Sequence, residues 1–110
     1  MARIDPHDIN VVELHDAFTI LEIMAYEDLF LTSKGEGGKF VEQEQLSINP
    51  RGGLLGCGHP IGSTGVAQTA EIAAQLAGQA GKTQVKNCKT GLVHNMAAAG
   101  SSSSVIILKS

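Results

Sequence analysis

The stretch GCGHPIGSTG, residues 56–65, places one histidine and one proline among four glycines, directly before a run that is typical of a buried helix. Glycine-rich loops that lead into a helix often bind anions, because backbone N–H groups and the helix dipole converge there. Neither phosphate motif fits, since the second and third glycines are one residue too far apart for a dinucleotide loop and the lysine of a P-loop is absent. The stretch therefore predicts a rigid turn that presents His59, with a purely structural turn as the alternative.

The run after this turn predicts a helix from Ser63 to Ala80, with Ser63 or Thr64 as its N-cap and with Gly78 and Gly81 near its end. Its apolar positions nearly encircle the helix: Val66, Ala67, Ala70, Ile72, Ala73, Ala74, Leu76 and Ala77. So much alanine permits close approach of backbone on two sides. We therefore expect this helix to lie between two layers.

The first third of the chain predicts a strand followed by a helix. Ile9 to Leu14 is rich in β-branched and aliphatic residues, and a longer apolar pattern follows, with Asp16 as a candidate cap. This helix is expected to be mostly covered, at Phe18, Leu21, Ile23, Met24 and Leu29. The polar, glycine-punctuated segment 32–53 predicts a long extended connection that ends in a turn over Asn49 to Gly53.

The last third predicts a β-hairpin. Gly91 to Asn95 and Ser104 to Leu108 are strand-like, and the small residues MAAAGSSS between them suit a turn. The order of strand, helix, long loop, helix, strand and strand indicates one α/β domain over residues 1–110, a mixed sheet with covering helices. It leaves no room for a complete doubly wound sheet, so we expect elements in front of it to be missing.

Composition excludes several classes of protein. The net charge is −3, and the basic residues are scattered, so we expect no nucleic-acid partner. No run approaches the ~20 apolar residues of a membrane span, and the first residues lack the apolar core of a signal peptide. Cys57 and Cys88 lack zinc-ligand spacing and are too few for a disulfide framework. We therefore expect a cytoplasmic protein with no metal site and no membrane span.

Two further histidine motifs fall at strand ends, where α/β proteins tend to bind ligands. His15 and Asp16 follow the first strand in ELHDAF, and His94 and Asn95 end a later strand in GLVHNMAAAG. Each is a candidate for holding a water or a substrate oxygen. The structural alternatives are a capped helix start for the first motif and a satisfied core histidine for the second.

In this order and at these separations, HDAF, GGLLGCGHPIGSTG and GLVHN resemble the carboxyl-terminal half of a thiolase. The resemblance runs from about Asp8 to Leu108. It is closer to the sterol-carrier-protein type and to archaeal acetyl-CoA acetyltransferases than to biosynthetic thiolases, in which the first motif is Asn-Glu-Ala-Phe. It implies a partial thiolase fold that is incomplete without an amino-terminal half.

The resemblance also implies a Claisen condensation, or its reverse, on thioesters of coenzyme A, with no cofactor besides that substrate. In this chemistry a cysteine thiolate is acylated and an enolate attacks the acyl-enzyme. By the resemblance, His59 donates its Nε2–H to the enolate oxygen, His15 replaces the asparagine that holds a companion water, and His94 is the remaining candidate acid/base. The implied substrate-binding residues are Phe18, in the pantetheine tunnel, and Ala17, Gly58, Gly62 and Asn95.

Departures from the family pattern limit what the chain can do alone. The nucleophilic cysteine of thiolases belongs to the amino-terminal half, and the loop that holds the acid/base cysteine in classical thiolases is HNMAAAG here. Ala17 stands where the sterol-carrier branch often has that cysteine. We therefore predict an inactive single chain that needs a partner half or subunit, in an oligomer. The alternatives are a non-acylating aldolase or scaffold subunit that binds acyl-CoA or steroid side-chain thioesters, and a Cys57–His59 hydrolase.

Overall fold

A computed structural model describes residues 3–43, 45–97 and 100–110. In these ranges four strands form one mixed sheet: β1 (Val11–Glu13), β2 (Ser47–Ile48), β3 (Thr90–Ala97) and β4 (Ser102–Lys109). Four helices accompany it: α1 (Thr19–Asp28), α2 (Gly37–Glu42), α3 (Gly53–Cys57) and α4 (Thr64–Leu76). Short 3-10 turns cover Pro6–Asp8, Ile61–Ser63 and Gly81–Thr83. The predicted α/β class with a mixed sheet and covering helices is confirmed.

The strands lie in the order β2-β1-β3-β4, with β1 parallel to both of its neighbours and β3 antiparallel to β4. Because side chains alternate along a strand, Val12 and Leu14 face one side of the sheet, while Val11 and Glu13 face the other. All four are fully buried, as expected for a central strand covered on both faces. The predicted first strand is confirmed, although it is shorter than Ile9 to Leu14.

The predicted hairpin is confirmed and is longer than expected at both strands. Gly91 pairs with Leu108, and the ladder continues to Ala97 opposite Ser102. Residues at both ends of the predicted turn therefore belong to strands. The centre of that turn, Ala98 and Ala99, lies outside the described residues.

The prediction of an extended connection over residues 32–53 is wrong, because this segment contains α2, β2 and α3. The two helices are stabilised by acidic side chains that are remote in sequence. Glu27 accepts from the Gly37 N–H at 3.0 Å, and a Cβ on Gly37 would lie only 2.6 Å from the Ile23 carbonyl oxygen. The predicted turn at the end of the segment is present, with the Gly52 N–H donating to the Asn49 carbonyl at 2.8 Å.

Asp16 was expected to cap α1, and this is wrong. Phe18 is the N-cap of α1, without a side-chain hydrogen bond. The Asp16 carboxylate instead accepts from the Leu54 N–H of α3 at 2.8 Å. Gly53 has a φ of +60°, and a Cβ there would overlap the Asp16 carboxylate. Asp16 therefore joins the end of β1 to the start of α3, which leads into the glycine-rich turn.

Helix α4 begins near the predicted residue but ends at Leu76, four residues before Ala80. Gly78 adopts a φ of +69°, its N–H donates to the Gln75 carbonyl, and the Gln79 N–H donates to the Ala74 carbonyl. This is the Schellman pattern, which stops a helix wherever glycine supplies the left-handed residue. The predicted N-cap position, Ser63, is confirmed, although its side chain makes no cap hydrogen bond.

Helices α1 and α4 lie on opposite faces of the sheet. Leu92 of β3 belongs to the core cluster on the α1 side, with Val12, Leu14 and Tyr26. Val93 belongs to a smaller cluster on the α4 side, with Val11 and Ile72. No described helix is long and apolar enough to cross a membrane.

The expectation that both helices are covered is wrong for several side chains. Phe18 and Met24 at α1 and Val66 of α4 are 70%, 50% and 70% exposed. The buried residues of α4 are instead mostly polar: Thr64, Gln68, Ile72 and Gln75. Helix α4 therefore turns a polar stripe toward the sheet and apolar residues toward open space.

Candidate active site

An open cavity of about 1680 Å³ lies between the start of α1, one side of α4 and the β3–β4 hairpin. Most of its wall is apolar, and the exposed side chains of Phe18, Met24 and Val66 contribute to it. The candidate residues at this wall are His15, Ala17, Phe18, His59, Gly62 and Asn95. The structure thus brings six of the eight sequence-predicted site residues to one cavity. Gly58 and His94 are not among its lining residues.

His59 is exposed at the cavity wall, on the turn between α3 and α4. Gly58, just before it, has a φ of +78°, which residues other than glycine rarely adopt. Nδ1 of His59 lies 2.7 Å from Oγ1 of Thr64, the first residue of α4. When the Thr64 hydroxyl donates to Nδ1, the ring proton remains on Nε2, which is the tautomer that the predicted oxyanion role requires.

His15 follows β1 and is buried beside His59. The two rings meet edge to face, with centroids 4.9 Å apart and planes at 83°. Burial lowers the pKa of His15, the neighbouring His59 lowers it further, and Asp16 opposes the shift. His15 is therefore neutral at physiological pH and can act as a hydrogen-bond donor without carrying charge.

A polar network supports His15 from the side of α4. The Asn95 amide nitrogen lies 3.3 Å from His15 Nδ1 and 2.8 Å from Gln68 Oε1. Gln68 in turn donates from Nε2 to the Leu14 carbonyl at 2.8 Å. The sequence analysis missed Gln68, because a lone glutamine in a helix usually faces water. The available signal was the spacing of Thr64, Gln68 and Gln75, which places three polar residues on one face of an apolar helix.

His94 lies away from the cavity. It shares the α1 face of β3 with Leu92, while Val93 and Asn95 point to the other face. Its Nε2 is 2.9 Å from Ser103 Oγ, and its buried Nδ1 has no partner within the described ranges. Burial lowers the pKa of His94, His15 adds to the effect, and Asp28 opposes it. Its role as an acid/base stays a prediction.

Glu13 is a second group that the sequence analysis missed. It is fully buried on the α4 face of β1, where Arg51 Nε donates to Oε2 at 3.4 Å and Oε1 has no partner among the described atoms. Burial raises the pKa of Glu13 to about 7, and the charge and hydrogen bond of Arg51 offset only part of this. The carboxyl therefore ionises closer to neutral pH than an exposed glutamate does.

The two cysteines are free. Cys57 is exposed, and its thiol donates to the Arg51 carbonyl at 3.3 Å rather than to His59. His59 Nδ1 is in turn occupied by Thr64. This arrangement does not form the nucleophile–base pair that a Cys57–His59 hydrolase needs. Within the described part of the chain, no three His, Cys, Asp or Glu residues are placed to hold a metal ion.

Comparisons with known proteins find similarity over most of the chain. The family described as "Thiolase C-terminal domain-like" matches residues 1–110. The chain is 45% identical over 113 residues to the acetyl-CoA acetyltransferase of Methanothermobacter thermautotrophicus, covering 97% of the chain and 30% of that protein. It is 46% identical over 101 residues to human sterol carrier protein 2, covering 86% of the chain and 18% of that protein.

A third relative is the benzoylsuccinyl-CoA thiolase subunit BbsB of Thauera aromatica. It is 47% identical over 89 residues, which cover 76% of the chain and 23% of that subunit. The chain thus spans less than a third of the length of each of these three relatives.

Proposed function

Because the chain belongs to the thiolase C-terminal domain-like family, we propose that it supplies the histidine side of a thiolase-type acyl-CoA site whose nucleophilic cysteine comes from a partner half. The observation that carries this proposal is the meeting of His59 and His15 at the wall of one open, mostly apolar cavity. Two imidazoles that each present an N–H suit an oxygen that becomes negative during the reaction.

The chemistry divides between the two halves. The partner's cysteine thiolate attacks the thioester carbonyl, and coenzyme A leaves as the thiolate. A second acyl-CoA loses an α-proton to a base, and its enolate carbon attacks the acyl-enzyme and releases the cysteine. His59 Nε2–H stabilises the enolate oxygen, and His15 contributes directly or through a water. Donors fixed in advance lower the barrier because they need no reorganisation.

The size of the cavity and its exposed apolar wall support binding of a partner chain as well as a substrate. Its volume of about 1680 Å³ exceeds the roughly 300–1,000 Å³ of typical small-molecule pockets. Ile61 and Val66 at its wall are 81% and 70% exposed. A contiguous apolar surface of this kind marks an interaction site rather than ordinary surface. The amino-terminal half covers it, and the acyl-pantetheine chain passes between the two halves along Phe18, Ala17 and Gly62.

The proposed reaction needs no metal and no further cofactor, because the coenzyme A thioester carries the reactive group. The need for a partner half implies an oligomer. Free Cys57 and Cys88 suit a reducing compartment such as the cytoplasm.

A specific observation keeps one alternative function. Ala17 lines the cavity at the position where the sterol-carrier branch often has its acid/base cysteine, and His94 lies away from the wall. A site without an acid/base suits a non-acylating aldolase or scaffold subunit that binds acyl-CoA or steroid side-chain thioesters.

Complementation tests the proposal. The chain is mixed with the amino-terminal half of a thiolase, and cleavage of acetoacetyl-CoA by free coenzyme A is followed. Activity above the sum of the two separate parts is expected, with a Cys57→Ser variant as active as the wild type. No gain on mixing contradicts the proposal.

Covalent trapping with labelled acetyl-CoA separates the two functions. An acetylated cysteine in the assembled protein supports the acyltransferase. Thioester binding without acetylation supports the aldolase or scaffold alternative instead.

A further inference from the structure

A relay of hydrogen bonds connects the main-chain carbonyl of Leu14 to the imidazole of His15. The Leu14 carbonyl accepts from Gln68 Nε2 at 2.8 Å, and Gln68 Oε1 lies 2.8 Å from Asn95 Nδ2. Asn95 Nδ2 also lies 3.3 Å from His15 Nδ1. The two ends of the relay belong to adjacent residues that follow β1, while its middle members lie on α4 and β3.

The donor and acceptor roles along the relay follow from its first member, the Leu14 carbonyl. A carbonyl oxygen can only accept, so Gln68 must turn its NH₂ group to Leu14 and its oxygen to Asn95. That oxygen can also only accept, so Asn95 must present its NH₂ group. One amide hydrogen then goes to Gln68 and the other to His15 Nδ1. A nitrogen that accepts carries no proton, so the neutral His15 ring holds its hydrogen on Nε2.

Two features of the surroundings hold this arrangement in place. Gln68 is fully buried, so water does not compete for its amide, and a reversed amide would leave buried acceptors facing each other. Gly65, one turn before Gln68 on α4, faces Asn95. A Cβ at Gly65 would lie 3.4 Å from Asn95 Cγ, so the glycine leaves the room that the amide occupies.

The Nε2 edge of His15 is the free edge of the ring. It makes no hydrogen bond to the part of the chain that the structure describes, and His15 lines the cavity beside His59. We propose that Gln68, through Asn95, is a positioning residue that fixes His15 in the Nε2–H tautomer and so presents a second N–H donor to the cavity. The use of this donor on a thioester oxygen rests on the proposed function, whereas the tautomer does not.

Tautomer-resolved NMR of the chain labelled with ¹⁵N-histidine tests the proposal, since long-range ¹H–¹⁵N spectra show which ring nitrogen carries the proton. The wild-type protein is expected to show His15 as the Nε2–H form alone at neutral pH. In Gln68→Leu the Asn95 amide is free to reverse, so both tautomers of His15 are expected. His7, an exposed histidine near the amino terminus, serves as the internal reference.

Gln75→Leu is the matched control. Gln75 is equally buried on the same helix and also donates to a main-chain carbonyl, that of Thr83 at 2.9 Å, but it has no contact with the relay. Gln75→Leu is expected to leave His15 wholly in the Nε2–H form. If Gln75→Leu mixes the tautomers as much as Gln68→Leu does, general loosening of the core explains the effect and the proposal is overturned.

Asn95→Asp keeps the proposal testable if Gln68→Leu does not fold. A carboxylate at this position can only accept, so His15 Nδ1 is expected to become protonated. A His15 that retains Nε2–H alone in either variant overturns the relay. If the tautomers change as expected while complementation gives no thiolase activity, the relay stands and only the proposed function fails.

Discussion

The two faces of the central sheet are built differently. On the α1 face, Val12, Leu14, Tyr26 and Leu92 form a mainly apolar core, in which the tyrosine hydroxyl donates to Glu22. His94 is a buried polar residue at the edge of this face. On the α4 face, the buried set includes the polar side chains of Glu13, Thr64, Gln68 and Gln75. Among the described residues, the buried members of the apolar cluster there are Val11, Ile72 and Val93.

This difference separates stability from positioning. Apolar burial is nondirectional and stabilises the fold at about 25 cal/mol per Å². Buried polar groups add little net stability, but each must meet a partner at a defined distance and angle. The polar network on the α4 face therefore orients His15, while the α1 face holds the domain together. In the proposed function, the apolar residues that α4 turns outward contact a substrate and a partner.

The largest expected effect is a loss of stability on the α1 face of the sheet. Leu92→Ala is expected to lower the free energy of unfolding by about 2–5 kcal/mol, because it leaves a cavity in a closed core. Val93→Ala, one residue later on the α4 face, is expected to cost about 1.6 kcal/mol, from two methyl groups, since Val93 borders the open cavity. Urea unfolding measures both. If Val93→Ala lowers the free energy of unfolding as much as Leu92→Ala or more, the described difference between the two faces is contradicted.

The next effect concerns Glu13 and pH. Its pKa is raised from 4.5 to about 7 in the folded state, so the unfolded chain ionises first. The stability of the neutral form is lost as pH rises from about 4.5 to about 7, by about 3 kcal/mol in all. Glu13→Gln removes this dependence, so the stability of the variant relative to wild type is expected to rise across that window. A difference that does not change with pH contradicts the assignment.

The buried imidazoles act in the opposite direction. The pKa values of His15 and His94 are lowered from 6.5, so the unfolded chain binds protons first and stability is lost as pH falls below about 6.5. These histidines are present in both the wild type and Glu13→Gln. Subtracting one pH profile from the other therefore isolates Glu13.

A smaller effect is expected where α4 approaches β3. A Cβ on Gly91 would overlap Cγ2 of the fully buried Ile72 and lie 3.2 Å from Val11 Cγ1. Gly91→Ala is therefore expected to cost about 1–3 kcal/mol, as overpacking does. Gly38→Ala is the matched control, since nothing lies within 4 Å of a Cβ there. Thermal unfolding compares the two variants, and equal midpoints would show that the α4 face is loosely packed.

The smallest effect is expected at the cavity wall. Val66 is 70% exposed on α4, so Val66→Thr is expected to change the stability of the chain by no more than about 0.5 kcal/mol. The same variant is expected to weaken assembly with an amino-terminal half, measured by titration calorimetry. A large loss of stability without a loss of assembly would assign Val66 to the core instead.

The sequence predicted those parts of the fold that local patterns determine. The strand before His15, the hairpin and the glycine-rich turn before α4 each have a local signal. Helices α2 and α3 were missed because Glu27 and Asp16, their capping carboxylates, come from elsewhere in the chain. Helix α4 was predicted too long because the alanines continue, whereas Gly78 ends it through its backbone conformation.

The candidate site was predicted as far as motifs reach. His59, His15 and Asn95 come from three separate motifs and meet at one cavity. Gln68 was missed because its importance depends on the Leu14 carbonyl, which only the folded chain brings near. His94 was grouped with Asn95 because they are adjacent in sequence, but the alternation of β3 sends the two side chains to opposite faces.

The most direct test of the central claim, that His59 stabilises charge on a thioester oxygen, is the turnover number of the protein assembled with a thiolase amino-terminal half. In acetoacetyl-CoA cleavage, His59→Ala is expected to lower kcat by about 10²–10³-fold, with KM little changed. A kcat within twofold of the wild type would contradict the claim.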